Sequence, residues 1–182
     1  MIKANLYFDD MVRKYFVEEA MKLVGCSYEH EKMGPTLFDC SGLPRFLYEK
    51  LFGIDIFEGG IGMSTTGMAM TSVYGITTYY KEKDPSKDIS AIKPGDILFF
   101  HLQSFKFDSV LPCNKYPGHC GIYVGNNTFI HATSWKSINK VIISNFSDNN
   151  NRYYKRLVGF KDIVSYQNGG IFVRTKEKKM KN

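Results

Sequence analysis

Apolar spacing changes once along this chain, and the change limits the fold. Up to Gly53 the apolar residues recur at helical spacing; from Ile92 onward they come in short runs divided by turn residues. Val12, Phe16, Ala20 and Leu23 fall on one face of a helix that Asp9 or Asp10 can cap, with Gly25 as its C′ glycine. A second helix is expected from Cys40 or Ser41 to Phe52, ending at Gly53. Its apolar set is Leu43, Phe46, Leu47, Leu51 and Phe52, and Pro44 is tolerated in the first turn. Lys93-Pro94-Gly95-Asp96 then reads as a turn before a buried strand Ile97–Phe100. Cys120–Val124 and Thr128–Ala132 read as a hairpin around Gly125-Asn126-Asn127, followed by strands at Val141–Ser144 and Leu157–Lys161. Helices first and an antiparallel run of strands afterwards make the expected class α+β, with the helices packed on one face of the sheet.

The chain has 182 residues, which suits one domain, expected over 1–170 with a basic tail at 171–182. Apolar residues at 43% and aromatics at 15% exclude a disordered chain. A formal charge of +6 favours anionic surroundings without choosing among nucleic acid, anionic lipid and an acidic wall polymer. No apolar stretch is long enough to cross a membrane. Asp9, Asp10, Glu18 and Glu19 leave no signal-peptide core at the start, so either the protein is not exported by that route or a leader has been removed; delivery by phage, mobile element or dedicated export machinery would each fit. The loops at 57–90, with a short helix near 64–73, and at 102–118 are expected to be a lid or groove wall.

Four cysteines, Cys26, Cys40, Cys113 and Cys120, are too few for a disulfide scaffold. Cys113, His119, Cys120 and His131 lack the spacing of a zinc knuckle, and Cys120 should point away from His119 on one strand. Cys40 differs from the others in standing where a helix begins. Exposed amide groups and the positive end of the dipole there favour a thiolate, and can also hold an oxyanion. The competing reading of Cys40 alone is a buried inert thiol. His119, at a strand start, is a candidate base, and His131 on the neighbouring strand is a candidate third member that orients it. Taken singly, a surface histidine and a core histidine are the plainer readings of those two.

Asp39-Cys40-Ser41-Gly42-Leu43, Lys93-Pro94-Gly95-Asp96 with Ile97–Phe100, His119-Cys120-Gly121-Ile122-Tyr123-Val124-Gly125 and Phe129-Ile130-His131-Ala132 together resemble, in order, the motifs of the NlpC/P60 family. These are papain-like cysteine peptidases of bacterial cell walls, and the blocks span about residues 11–163. The resemblance implies a papain-like fold with Cys40 as nucleophile at a helix N-terminus, His119 as base and His131 as the polar third member. It places Tyr28 beside the site, and makes Tyr28, Asp39, Ser41, Gly42 and Gly118 the expected substrate-binding or oxyanion set. The implied substrate is a peptidoglycan stem peptide, cut between D-γ-glutamate and a diamino acid at the cell wall, with no metal or organic cofactor. No nucleic-acid partner is expected, and a monomer is. The stretch Glu29-His30-Glu31-Lys32-Met33-Gly34 departs from the family's aromatic and glycines, and Pro44 from its branched apolar residue. DCSG also resembles the start of CHAP amidases, so an amidase or acyltransferase on the same fold, or a non-catalytic wall-binding module, stand as alternatives.

Overall fold

The computed structural model describes residues 2–53, 55–56, 76–81, 83–101, 118–146 and 151–164. Helix α1 (Ile2–Met21) is followed by two short strands, β1 (Ser27–Tyr28) and β2 (Leu37–Phe38), and then by helix α2 (Gly42–Phe52). The sheet continues with β3 (Ile76–Tyr79), β4 (Ile97–His101), β5 (Gly118–Gly125), β6 (Thr128–Thr133) and β7 (Lys140–Asn145). A short helix α3 (Arg152–Arg156) leads into β8 (Leu157–Asp162). The strands lie in the order β2-β1-β7-β6-β5-β4-β8-β3. β1 and β2 run parallel; every other described pairing is antiparallel.

The central strands are buried on both faces, so their alternation sorts apolar side chains into two clusters. Ile97, Phe99, Cys120, Ile122, Ile130, Ala132 and Val141 meet Phe16, Ala20, Leu43, Leu47 and Tyr48 of α1 and α2. Leu98, Phe100, Tyr123, Phe129 and Phe160 form the opposite cluster with Phe146 and Tyr154. Helices α1 and α2 therefore cover one face, as the α+β reading expects, while the short α3 adds Tyr154 to the other.

Arg13 joins α1 to the sheet from within the first cluster's border. It is 3% exposed and donates to Pro94 O at 2.9 Å, Asp96 Oδ1 at 2.8 Å and Asp162 Oδ1 at 2.5 Å. The 93–96 turn is itself closed by Asp96 N–H to Lys93 O at 3.0 Å and Lys93 N–H to Asp96 Oδ2 at 2.9 Å. Tyr48 of α2 donates to Gly95 O in the same turn at 3.1 Å. Both helices are thus fastened to one turn.

Three sequence expectations change. α1 begins at Ile2, so Asp9 and Asp10 lie inside it; no glycine or proline in Ile2–Phe8 stops the helix earlier. It ends at Met21, and the chain then tightens through Leu23 N–H to Ala20 O and Val24 N–H to Met21 O. Gly25 (φ 94°) is not its cap: its N–H donates to Val141 O at 2.9 Å and steers the chain toward β1. The irregular stretch assigned to 57–90 contains β3, an edge strand paired with β8 from Ile76 to Tyr79. The short helix near 64–73, most of the 102–118 loop, Cys113 and the tail at 171–182 lie outside the described residues. α2 ends as expected, at Gly53 with φ 65° and its N–H on Glu49 O. No helix among the described residues is long and apolar enough to cross a membrane.

Candidate active site

Asp39 builds the entrance to α2. Its Oδ1 accepts from Ser41 N–H (3.0 Å), Gly42 N–H (2.6 Å) and Ser41 Oγ–H (2.9 Å), while Oδ2 accepts from Glu31 N–H (3.1 Å). One carboxylate thereby caps the helix and ties down the preceding loop. Gly42 is needed for space: a Cβ there would lie 2.1 Å from Lys32 O, a backbone atom that cannot swing away. Burial and the neighbouring Cys40 push the Asp39 carboxyl above its ordinary range, against the hydrogen bonds from Gly42 and Ser41.

Cys40 is half-buried at this entrance. Its thiol lies well below the ordinary cysteine range, because Cys120 and His119 hydrogen-bond it and the His119 charge favours thiolate, against the effect of burial. The Cys40 N–H donates to no acceptor among the described residues, whereas the Ser41 and Gly42 amides are spent on Asp39. Of the amides at this helix start, that of Cys40 is the one left to face an oxyanion.

His119 is the second residue of β5, opposite Phe100 of β4. Gly118 precedes it with φ 77°, opposite His101. His119 Nε2 lies 2.8 Å from His131 Nδ1, and His131 Nε2 lies 2.9 Å from Ser144 Oγ on β7. With Nε2 engaged, Nδ1 is the nitrogen His119 has for Cys40. Burial, then the positive charges of His119 and Arg152, push His131 down to about 2, so it stays neutral. This settles the tautomer by chemistry. When His119 carries two protons it donates from Nε2, so His131 must accept at Nδ1 and donate from Nε2 to Ser144.

The two histidines share one face of neighbouring strands, set in an aromatic wall. The His131 ring centre is 4.8 Å from Phe129 and 5.4 Å from Tyr153. Gly121 opens room for them to meet. A Cβ on it would come within 2.7 Å of the Phe129 ring and 3.2 Å of His131 Cβ. Ser144, Gly121 and Tyr153 are residues that sequence reasoning missed. Gly121 had a signal in its place two residues after His119; Ser144 and Tyr153 had none.

Tyr28 is half-buried, and its hydroxyl hydrogen-bonds Ser134 in the loop after β6. Burial, with Cys40 and Asp39 nearby, raises its phenol above the ordinary value. Behind Ser134, Trp135 is 45% exposed, with Lys136 Nζ 4.5 Å and Arg152 Cζ 4.2 Å from its ring centre. His30 is solvent-exposed. Cys120 does point to the face of β5 opposite His119, yet both interact with Cys40. Among the described residues no group of three His, Cys, Asp or Glu is arranged to hold a metal ion. The arrangement can form a thiolate, shuttle its proton to an imidazole and hold an oxyanion, the requirements of acyl transfer through a thioester.

Known proteins resemble this chain. The "Probable endopeptidase p60" of Listeria innocua is 34% identical over 64% of this chain and 19% of its own length. The "Probable peptidoglycan endopeptidase LytE" of Bacillus subtilis is 31% identical over 80% of this chain and 33% of its own. The chain therefore spans about a fifth to a third of these relatives. Among solved structures, NlpC2 from Trichomonas vaginalis aligns with a TM-score of 0.54 at 27% identity, covering 82% of this chain and 45% of that one. The NlpC/p60 domain of the peptidoglycan hydrolase SagA shares the fold, with a TM-score of 0.51 at 23% identity over 83% of this chain and 98% of its own. Residues 25–161, which contain Tyr28, Asp39, Cys40, His119, His131 and Ser144, match the NlpC/P60 family, and the chain belongs to it.

Proposed function

We propose that this chain is a cysteine hydrolase that cuts amide bonds in peptidoglycan stem peptides, with Cys40 as nucleophile and His119 as base. The hydrogen-bonded line from Cys40 through His119 and His131 to Ser144 carries the reading. Cys40 thiolate attacks the amide carbonyl, and the Cys40 N–H holds the oxyanion. Its collapse breaks the C–N bond as His119 gives its proton to the departing amine, leaving a thioester. His119 then takes a proton from water, which attacks the thioester carbonyl; the C–S bond breaks and the thiolate returns. His131 holds the His119 ring in place and Ser144 fixes His131.

The preferred bond in this reading joins D-γ-glutamate to a diamino acid. A γ-linkage uses the side-chain carboxyl of glutamate and leaves its α-carboxylate charged. Lys136 and Arg152, gathered on Trp135 close to the Tyr28 side of the site, offer that carboxylate cationic partners. The "Gamma-DL-glutamyl hydrolase" of Bacillus subtilis, 29% identical over 80% of this chain and 29% of its own length, is named for such a linkage. The site of action in this reading is the bacterial cell wall.

Purified muropeptides, incubated with wild type and Cys40→Ala, test the proposal by mass spectrometry of the products. Dipeptide fragments from wild type and none from the variant are expected. Equal turnover by both removes Cys40 from the mechanism, and release of whole stem peptides replaces the peptidase reading with an amidase.

A further inference from the structure

The hydrolytic line leaves one reactive group at the site without a task. Cys120 follows His119 on β5, but its side chain lies on the strand's other face, with the cluster beneath the helices. Its Sγ–H donates to Cys40 O at 2.9 Å, which sets the second sulfur against the nucleophile's own residue. Both cysteines are free thiols. The proton path through His119, His131 and Ser144 makes no use of Cys120. A packing role would be met by any small apolar residue; a second sulfur against the nucleophile allows chemistry that valine or alanine does not.

The two residues differ in exposure. Cys40 is half-buried at the entrance to α2, whereas Cys120 is fully buried. A small oxidant therefore meets Cys40 first, and the acidic thiol reacts as thiolate. Cys120 is the sulfur lodged against that residue. A cysteine next to an oxidisable thiolate can act as a resolving thiol, provided the sulfurs can close to bonding distance.

We propose that Cys40 and Cys120 are a peroxide-sensitive modification site, closing to a reversible disulfide that silences the enzyme and shields its nucleophile from irreversible oxidation. The proposal rests on Cys40 being the nucleophile. In the first step Cys40 thiolate attacks one oxygen of hydrogen peroxide. An S–O bond forms, the O–O bond breaks, and the departing hydroxide takes a proton from His119 to leave as water. In the second step Cys120 sulfur attacks the Cys40 sulfenic acid. The S–O bond breaks, and the leaving hydroxide becomes water with the Cys120 proton. Overall, two thiols are oxidised by one peroxide, giving one disulfide and two waters. The Cys120 thiol is held well above its ordinary range by its hydrogen bond to Cys40, by burial and by the Cys40 charge. Forming the sulfenic acid removes that charge, so Cys120 becomes easier to deprotonate when attack is required. An external dithiol reverses the bond by exchange.

The experiment treats folded full-length protein with hydrogen peroxide in an excess that oxidises Cys40 completely, then digests it without reduction. Wild type is expected to yield a linked peptide pair containing Cys40 and Cys120, with a loss of about 2 Da, two hydrogens, per chain. Dithiothreitol should then restore most of its starting turnover. Cys120→Ser keeps a hydrogen-bond donor but cannot resolve the sulfenic acid. Its Cys40 should gain two or three oxygens, and dithiothreitol should restore little of that variant's own starting turnover. Absence of the linked pair from wild type overturns the proposal, as does equal recovery of both proteins. Peptide mapping of wild type decides even if Cys120→Ser does not fold. The linked pair is read by mass, so it stands or falls apart from whether muropeptides are cut; no linked pair in an active hydrolase defeats the switch alone.

Discussion

At the level of single residues, the site separates charge from orientation. Cys40 carries the acidity. Its thiol is held down by Cys120, then by the hydrogen bond and charge of His119. The rate of Cys40 alkylation by iodoacetamide should therefore keep its high value at a lower pH than for an ordinary thiol of pKa about 8.5. His119→Ala removes one of those causes, and its alkylation profile should move to higher pH. Identical profiles for the two proteins would detach His119 from the thiolate. In the proposed mechanism His131 supplies orientation only, because burial, then the charges of His119 and Arg152, push it down to about 2 and keep it neutral. His131→Ala should lower kcat by about 10²-fold, the lower end of what a positioned proton-transfer group contributes. The pH-rate profile should keep its limbs, since His131 does not titrate in the working range. A limb that disappears with His131 would make it a titrating participant instead.

Among the elements, the turn at 93–96 is where the fold is fastened, and it does so through a residue that pattern reading passed over. The spacing of Phe16, Ala20 and Leu23 marks the buried face of α1, and those residues are buried. Arg13 reads as a surface cation in sequence, yet its guanidinium lies between Asp96 and Asp162, residues 83 and 149 positions away. No local signal reports such a pairing. Arg13→Ala removes the cation buried beside Asp96, leaves Asp162 with the more distant Lys93 at 3.8 Å, and should cost about 3–5 kcal/mol in urea unfolding. A loss below about 1 kcal/mol would mean that water replaces the guanidinium freely. The long strands and α2 were legible because each carries enough apolar residues to show its period. β1 and β2, of 2 residues each, have no period to show and exist through pairing with each other and with β7. β3 was hidden by its glycine- and serine-rich surroundings, although Ile76-Thr77-Thr78-Tyr79 has strand-forming side chains. In the site, Cys40, His119 and His131 were readable as motifs. Ser144 was not, because a serine on a half-exposed strand is distinguished only by the histidine that reaches it.

For the molecule as a whole, two buried groups give the stability curve opposing pH dependences. His131 has its folded value pushed from 6.5 to about 2, by burial first and then by His119 and Arg152. Below 6.5 the unfolded chain binds a proton that the folded chain refuses, so this contribution is present above 6.5 and is lost as pH falls toward 2. Asp96 is pushed the other way, from 3.8 to about 7, by burial, with Arg13 opposing and Asp162 adding to the rise. The folded chain keeps a proton that the unfolded chain has released. The Asp96 contribution is therefore full below 3.8 and is lost as pH rises through about 7. Between roughly pH 4 and 6.5 one group binds an extra proton on folding and the other binds one fewer, so their slopes cancel. Each slope alone amounts to at most about 1.4 kcal/mol per pH unit. Asp96→Asn should uncover the His131 slope, making its stability relative to wild type rise with pH across this window. His131→Asn should uncover the Asp96 slope, making its relative stability fall. Urea midpoints at pH 4.5, 5.5 and 6.5 measure both, and taking differences from wild type removes the groups the three proteins share. If the curves of either variant run parallel to wild type, the group it lacks titrates alike in the folded and unfolded chains, and its burial does not govern its proton.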